Sequence, residues 1–218
     1  MIGEIDVREI LHFLGWRGTP LESGLLLQLR QLSQTVVQQI EPRTVMQRFA
    51  IEADGSLAGT SFQPEGKDAS ALLAPCHEAV LMAATLGAES ERMLLRMQAK
   101  DAAQALLLDA VLSAAIEAVC DREEQKLRAE IQAQGMYLTD RFSPGYGDTP
   151  LEQSAQICAV LRTDRAIGLT VSKSGLMIPR KSVTALLGVS AAETVRRKTG
   201  CEACGMKDTC ALSRCRAK

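Results

Sequence analysis

The feature that most constrains the fold is a long segment, residues 101 to 134, that contains neither glycine nor proline. Apolar side chains recur along it at helical spacing, and Gly135 follows directly, so the pattern predicts one long amphipathic helix. The predicted buried face carries Leu108, Leu112, Ala115, Ile116 and Val119. Only 3% of the 218 residues are aromatic, which favours a core of aliphatic side chains. We therefore predict a helix-rich α+β fold.

The other face of this helix carries a polar stripe with a spacing of four residues. Its members are Asp109, Ser113, Glu117 and Asp121. Steps of four residues keep side chains on one face of a helix, and a polar stripe opposite a core face usually contacts solvent. We interpret the stripe as a solvated face and keep Glu117 as a candidate ligand-binding residue.

Shorter segments predict the remaining elements. Apolar periodicity and capping residues predict helices over residues 5–14, 21–40 and 151–162, and a further helix that starts near Ser182. Strand-forming residues that precede turn residues predict strands over residues 45–51, 79–86 and 167–171.

Charge and hydropathy restrict the classes of partner. The net charge is −1, which gives no electrostatic basis for binding nucleic acid or an anionic membrane. Residues 1 to 16 include four charged side chains, unlike a secretion signal, and the longest charge-free stretches are shorter than the roughly 20 residues of a membrane span. We expect a cytoplasmic protein.

The segment RFSPGYGD, residues 141 to 148, is the strongest candidate for a ligand-binding loop. Pro144 restricts the backbone, whereas Gly145 and Gly147 allow sharp turns, so the loop can hold Tyr146 at a fixed angle. Arg141 places a forked hydrogen-bond donor beside it. The alternative is that Arg141 and Tyr146 only stabilise a turn.

Several motifs around this loop resemble one known family. They are AIGLTV at 166–171, KSGLMIP at 173–179, KSVT at 181–184, EILHFLGWRG at 9–18 and ATLG at 84–87. Together with the RFSPGYGD loop they resemble the activation domain of cobalamin-dependent methionine synthase. The resemblance covers most of residues 1 to 190, and it implies a twisted antiparallel sheet among the helices.

The resemblance also implies a function. In that family the domain binds S-adenosylmethionine and covers the upper face of cobalamin during reductive methylation of the inactive Co(II) state. The corresponding cofactor-binding residues here would be Arg141, Ser143, Gly145 and Tyr146, with Glu117 as the acidic residue on the preceding helix. The chain would then be a methionine synthase (methyltransferase) activation subunit whose partner is a separate corrinoid protein or a synthase that lacks its own activation domain.

One family element has no counterpart. The pair of adjacent tyrosines expected shortly after the Ser-Val segment is replaced by LLGVSA at 186–191, which contains no aromatic residue. An alternative therefore stays open, in which the chain is an iron-sulfur or zinc adaptor or electron-transfer module that docks on corrinoid proteins without binding a nucleoside.

The last part of the chain differs in composition from the rest. We divide the chain into an activation-domain-like region, residues 1–195, and a basic Cys-rich tail, residues 196–218. The tail holds seven basic and two acidic residues, a net charge of +5. Such a surface could dock an acidic electron donor such as flavodoxin or ferredoxin.

Four cysteines of the tail have metal-ligand spacing. They are Cys201, Cys204, Cys210 and Cys215. Four thiolates can bind either zinc or an iron-sulfur cluster, so the identity of the metal stays open. Reactivation of Co(II) requires a low-potential electron, which an iron-sulfur cluster could supply, and this favours iron-sulfur. The other three, Cys76, Cys120 and Cys158, lie in apolar segments and are expected to be buried.

Overall fold

The computed structural model describes residues 5–16 and 21–193. The helices are α1 (Val7–Phe13), α2 (Ser23–Gln39), α3 (Lys67–Leu73), α4 (Ala88–Gln98), α5 (Ala102–Ala133), α6 (Gln153–Leu161) and α7 (Thr163–Ala166). The strands are β1 (Arg43–Ala50), β2 (Glu78–Thr85), β3 (Tyr137–Leu138), β4 (Thr170–Val171), β5 (Met177–Ile178) and β6 (Ser182–Ser190).

Four of these strands form an antiparallel sheet in the order β1-β2-β6-β3. Strand β2 lies at its centre and pairs with both β1 and β6, so that Leu81 has Gln47 on one side and Leu186 on the other. Strand β3 pairs with the end of β6, and a bridge between Phe142 and Leu186 extends this edge. Strands β4 and β5 form a separate hairpin.

Helices cover both faces of the sheet. Alternate residues of β2 enter two different cores, because successive side chains of a strand point to opposite faces. Val80, Met82 and Ala84 belong to the core that contains the buried residues of α1, α2, α4 and α5. Ala79, Leu81 and Ala83 belong to the second core, with α3 and α6. The predicted helix-rich α+β class with an antiparallel sheet is confirmed.

Helix α5 is the long helix predicted from the sequence. The Asp101 side chain caps its first turn by accepting hydrogen bonds from two backbone N–H groups. The five residues of its predicted apolar face are all buried. Helix α5 is also the one helix among the described residues that is long and apolar enough to cross a bilayer. However, 56% of its apolar window is buried inside the fold, as in the core helix of a soluble protein.

The helix predicted from Ser182 onward is wrong, because this segment is strand β6. It lies between β2 and β3, and both of its faces are covered: Ala185 and Leu187 enter one core, and Leu186 enters the other. A strand that is buried on both sides has a continuous apolar sequence, which removes the two-residue alternation that would identify it.

The strand predicted over 167–171 is reduced to Thr170–Val171. The preceding residues end α7 instead, since the backbone N–H groups of Ile167 and Leu169 both donate to the Thr163 carbonyl. The predictions for α1, α2, β1, β2 and α6 are confirmed to within a few residues at each end. Elements α3, α4, α7, β3 and β5 were not predicted.

Candidate ligand-binding site

The carboxylates of the polar stripe of α5 have side chains 39 to 60% exposed, which confirms its interpretation as a solvated face, but each of them is also paired with a cation. Lys181, which precedes β6, donates from Nζ to Asp109 Oδ1 at 2.9 Å and to Ser113 Oγ at 2.8 Å. Arg141 binds the next two members of the stripe, Glu117 and Asp121. Both cations come from segments far away in the sequence, which is why a helical pattern alone could not show them.

Arg141 is bound by three carboxylates of α5. Its Nη2 atom lies 2.7 Å from Glu117 Oε2 and 2.7 Å from Asp121 Oδ1, and its Nη1 atom lies 3.0 Å from Glu124 Oε2. The Arg141 side chain is only 17% exposed, whereas that of Asp121 is 60% exposed. Burial lowers the pKa of Arg141, but the hydrogen bond to Asp121 and the negative charges of Asp121 and Glu117 outweigh burial and raise that pKa above its usual value.

A second guanidinium continues this network. Arg128 Nη2 lies 2.7 Å from Glu124 Oε1 and 3.6 Å from Asp140 Oδ1. Arg128 also donates to the backbone carbonyls of Leu138 and Thr139, which attaches α5 to the chain just before the loop.

We name this group of side chains the Arg141 cluster. It consists of Arg141, Arg128, Glu117, Asp121, Glu124 and Asp140. Its four carboxylates face two guanidinium groups, which leaves two surplus negative charges. A surface with this surplus favours a cationic ligand, because like charges that are left without counter-charges repel each other.

A buried thiol belongs to the same part of α5. Cys120 is 0% exposed. Burial raises the pKa of Cys120 to about 12; Arg141 lowers it and the neighbouring carboxylates raise it by smaller amounts. The thiol is therefore protonated at neutral pH, consistent with the expected role of Cys120 as a small buried apolar residue.

The start of the RFSPGYGD loop extends the sheet. Phe142 exchanges two backbone hydrogen bonds with Leu186, at 2.9 and 2.8 Å, and Thr139 N donates to Gly188 O at 2.9 Å. Phe142 packs against the core that contains α3 and α6. Since neighbouring residues of an extended segment point to opposite faces, Arg141 is directed to the α5 side of the sheet.

The tip of the loop is a hydrogen-bonded turn. Tyr146 N donates to Ser143 O at 3.3 Å, Thr149 N donates to Tyr146 O at 3.2 Å, and Gly145 N donates to Thr149 O at 3.0 Å. Gly147 has a φ of 59° and lies so close to α3 that an added Cβ would be 1.9 Å from Asp68 Oδ2. The predicted ordered loop is confirmed, and it leaves Tyr146 69% exposed.

The structure thus brings Glu117 and Arg141 into direct contact and places Ser143, Gly145 and Tyr146 in the adjoining turn. Their role in cofactor binding stays a prediction. Glu124, Arg128 and Asp140 were not predicted from the sequence, and Asp121 was assigned only to the solvated face. The spacing Glu117, Asp121, Glu124, Arg128 places all four on one helical face, and this pattern could have indicated the cluster.

The predicted metal ligands of the tail lie outside the described residues. Within residues 5–16 and 21–193 there is no group of His, Cys, Asp and Glu side chains that could hold a metal ion. The LLGVSA segment lies at the end of β6, where Leu186, Leu187 and Val189 are buried. It therefore offers no aromatic surface for a nucleoside.

Comparison with solved structures finds a similar fold. The chain matches a crystal structure of the MetH reactivation domain bound to AdoHcy, with a TM-score of 0.60 over 86% of this chain and 76% of the other. The two chains share a fold. The resemblance deduced from the sequence motifs is confirmed at that level, although the sequences are only 16% identical. No family model matches the sequence, and no curated protein matches it either.

Proposed function

We propose that this protein binds S-adenosylmethionine and serves as a reactivation partner of cobalamin-dependent methionine synthase in trans. The observation that carries this proposal is the Arg141 cluster, placed beside the RFSPGYGD loop on a fold shared with the MetH reactivation domain. The proposed cofactor-binding residues are Arg141, Ser143, Gly145, Tyr146 and Glu117.

The charges of the cluster suit this ligand. A guanidinium can bind the carboxylate of an amino acid through two parallel hydrogen bonds. The surplus carboxylates can neutralise an ammonium and a sulfonium group, both of which S-adenosylmethionine carries. Its demethylated product, S-adenosylhomocysteine, lacks the sulfonium charge. The cluster should therefore bind S-adenosylmethionine more tightly than S-adenosylhomocysteine.

Ligand binding requires an exchange of partners at Arg141. Glu117 and Asp121 both bond the Nη2 atom, so an incoming carboxylate has to replace one of them. Asp121 is the more exposed of the two and can turn toward water at the lower desolvation cost. Glu117 then remains beside Arg141 to accept a hydrogen bond from the ligand ammonium group.

The reaction would combine this site with a corrinoid that a partner protein holds. S-adenosylmethionine would supply a methyl cation and an external reductant one electron, so that Co(II) becomes methyl-Co(III) and S-adenosylhomocysteine is left. The residues of this chain would orient the methyl donor through Arg141 and contact the partner through the exposed Tyr146. We keep the cytoplasmic location as part of the proposal.

The proposal is tested by reactivation in trans. A methionine synthase fragment that lacks its activation domain, prepared in the Co(II) state, would be mixed with this protein, S-adenosylmethionine and a reductant. The expected result is an absorbance change to methylcobalamin that depends on this chain. Equal rates with and without the chain would contradict the proposal.

We further infer that Cys201, Cys204, Cys210 and Cys215 hold an iron-sulfur cluster or zinc. A cluster could receive the electron from flavodoxin or ferredoxin. Anaerobic analysis of metal and acid-labile sulfide separates the two: four irons with sulfide indicate the cluster, and one zinc without sulfide indicates a structural site. A protein that contains neither metal would contradict the assignment.

A second candidate function is supported by the aliphatic LLGVSA segment. A module that docks on corrinoid proteins and transfers electrons would not need a nucleoside site. In that case the anaerobically purified protein would contain iron and would not bind S-adenosylmethionine, whereas the first proposal requires binding.

A further inference from the structure

The far end of the RFSPGYGD loop is bonded to a second, distant segment of the chain. Residues 148 to 153 meet residues 63 to 68 through side chain to backbone hydrogen bonds. Thr149 Oγ1 donates to Glu65 O at 3.0 Å, and Gln153 Nε2 donates to Gln63 O at 2.8 Å while its Oε1 accepts from Glu65 N at 3.2 Å. Gln153 and Thr149 are buried, so these bonds are shielded from water.

Asp148 makes the contact nearest to the loop tip. Its Oδ2 accepts from Lys67 N at 2.8 Å and its Oδ1 accepts from Asp68 N at 3.0 Å, which caps the first turn of α3. The backbone at Gly66 passes so close that an added Cβ would lie 2.7 Å from Asp148 Oδ1. The bonds from Asp68 N and Lys67 N lower the pKa of Asp148, so the carboxylate stays ionised at neutral pH.

We propose that Asp148 is a positioning residue: by tying the backbone of the loop tip to the start of α3, it fixes the place from which the Tyr146 side chain extends. Only Gly147 separates the two residues, and Gly147 itself lies against Asp68. Tyr146 is 69% exposed, so packing against the core contributes little to its position. This inference rests on the proposed function, in which Tyr146 faces the corrinoid of the partner.

The two ends of the loop are held separately. Arg141 is bound to α5 on one face of the sheet, whereas Asp148 is bound to α3, which packs on the other face. Loss of the Asp148 contacts should therefore move Tyr146 and leave Arg141 in place. Asp148 variants should reduce the rate of reactivation by a larger factor than they reduce the affinity for S-adenosylmethionine, because Arg141 and Glu117 stay in place.

The positioning itself can be measured without any ligand. The chain has two tyrosines, Tyr137 and Tyr146, so the protein labelled with 3-fluorotyrosine gives two ¹⁹F resonances, which Tyr146→Phe assigns. In Asp148→Ala the Tyr146 resonance is expected to shift and sharpen toward that of a free tyrosine, while the Tyr137 resonance stays. Asp148→Asn retains one acceptor oxygen, so its Tyr146 resonance should lie between those of the original protein and Asp148→Ala. An unchanged Tyr146 resonance in Asp148→Ala would overturn the inference.

The reactivation assay gives the functional readout. Asp148→Ala is expected to lower the reactivation rate about tenfold, since misplacing a contacting group costs that much or more, and to raise the dissociation constant for S-adenosylmethionine by a smaller factor, about threefold at most. Asp54→Ala is the matched control, because Asp54 also accepts a backbone N–H bond in an exposed turn, from Ser56 at 2.9 Å. It should change neither quantity.

Failure of this inference differs from failure of the proposed function. If Asp148→Ala reactivates at the original rate, or loses affinity in proportion to its rate, Asp148 does not position Tyr146 for the reaction. If the original protein does not reactivate a corrinoid at all, the proposed function fails, and the fluorine resonances alone decide whether Asp148 fixes the ring.

Discussion

Arg141 and Lys181 meet the same polar stripe of α5 and differ in how many carboxylates they bind. Both side chains are almost equally buried, 17% and 16% exposed. Lys181 has one carboxylate, Asp109, and one hydroxyl, Ser113, so its charge is balanced. Arg141 lies in a cluster with two surplus negative charges. A balanced pair is sufficient to attach β6 to α5, whereas the surplus favours binding of a cationic ligand.

The largest expected effect is on stability, when each cation is removed. Arg141→Gln removes the counter-charge of Glu117 and Asp121 and leaves Glu124 with Arg128 alone. We expect it to lower the free energy of unfolding by about 2–3 kcal/mol. Lys181→Gln leaves the half-exposed carboxylate of Asp109 without its cation and should lower the free energy of unfolding by about 1 kcal/mol. Urea unfolding measures both. Equal losses would show that the surplus charge has no structural consequence.

The next effect concerns ligand selectivity. Glu117→Gln removes one of the surplus charges, so the preference for S-adenosylmethionine over S-adenosylhomocysteine should fall severalfold, as one charge interaction near a protein surface is worth about 1 kcal/mol or more. Asp109→Asn is the control from the Lys181 pair and should leave this ratio unchanged. The ratio of the two dissociation constants is the quantity to measure. A ratio that is insensitive to Glu117→Gln would show that the cluster does not recognise the sulfonium charge.

The smallest effect is a pH dependence at Cys120, a buried thiol close enough to Arg141 to feel its charge. Burial raises its pKa to about 12 in the folded protein, well above that of a free thiol. A raised pKa contributes stability that is complete below the unfolded value and is lost as pH rises toward the folded value. Between about pH 8 and pH 10 the free energy of unfolding should fall by about 1 kcal/mol more in the original protein than in Cys120→Ala. Parallel pH profiles would contradict this assignment.

The contrast between the two cations also shows what the sequence could and could not predict. The length of α5 and its apolar face follow from local periodicity, and the turn at Gly145 and Gly147 follows from local chemistry, so both were predicted correctly. The partners of Glu117 and Asp109 are 24 and 72 residues away along the chain, at Arg141 and Lys181. Only the packing of β6 under α5 brings them together.

The error at β6 has a related cause. Its apolar residues are shared between two cores, so neither a two-residue nor a helical period dominates its sequence. The resemblance to a known family predicted the antiparallel sheet, which the periodicity of β6 did not show. Family motifs depend on the order of residues and not on a hydrophobic period. It also directed attention to Arg141 and Glu117, which the structure joins. It could not show that two further carboxylates, Asp121 and Glu124, bind the same guanidinium.

The most direct test of the central claim is calorimetric titration of the full chain with S-adenosylmethionine. We predict saturable binding at one site. Arg141→Gln should abolish this binding and Lys181→Gln should leave the dissociation constant within about twofold, since the proposed function places Arg141, and not Lys181, at the ligand carboxylate. Absence of binding by the original protein, or an equal loss of affinity in both variants, would contradict the assignment of the Arg141 cluster as the ligand site.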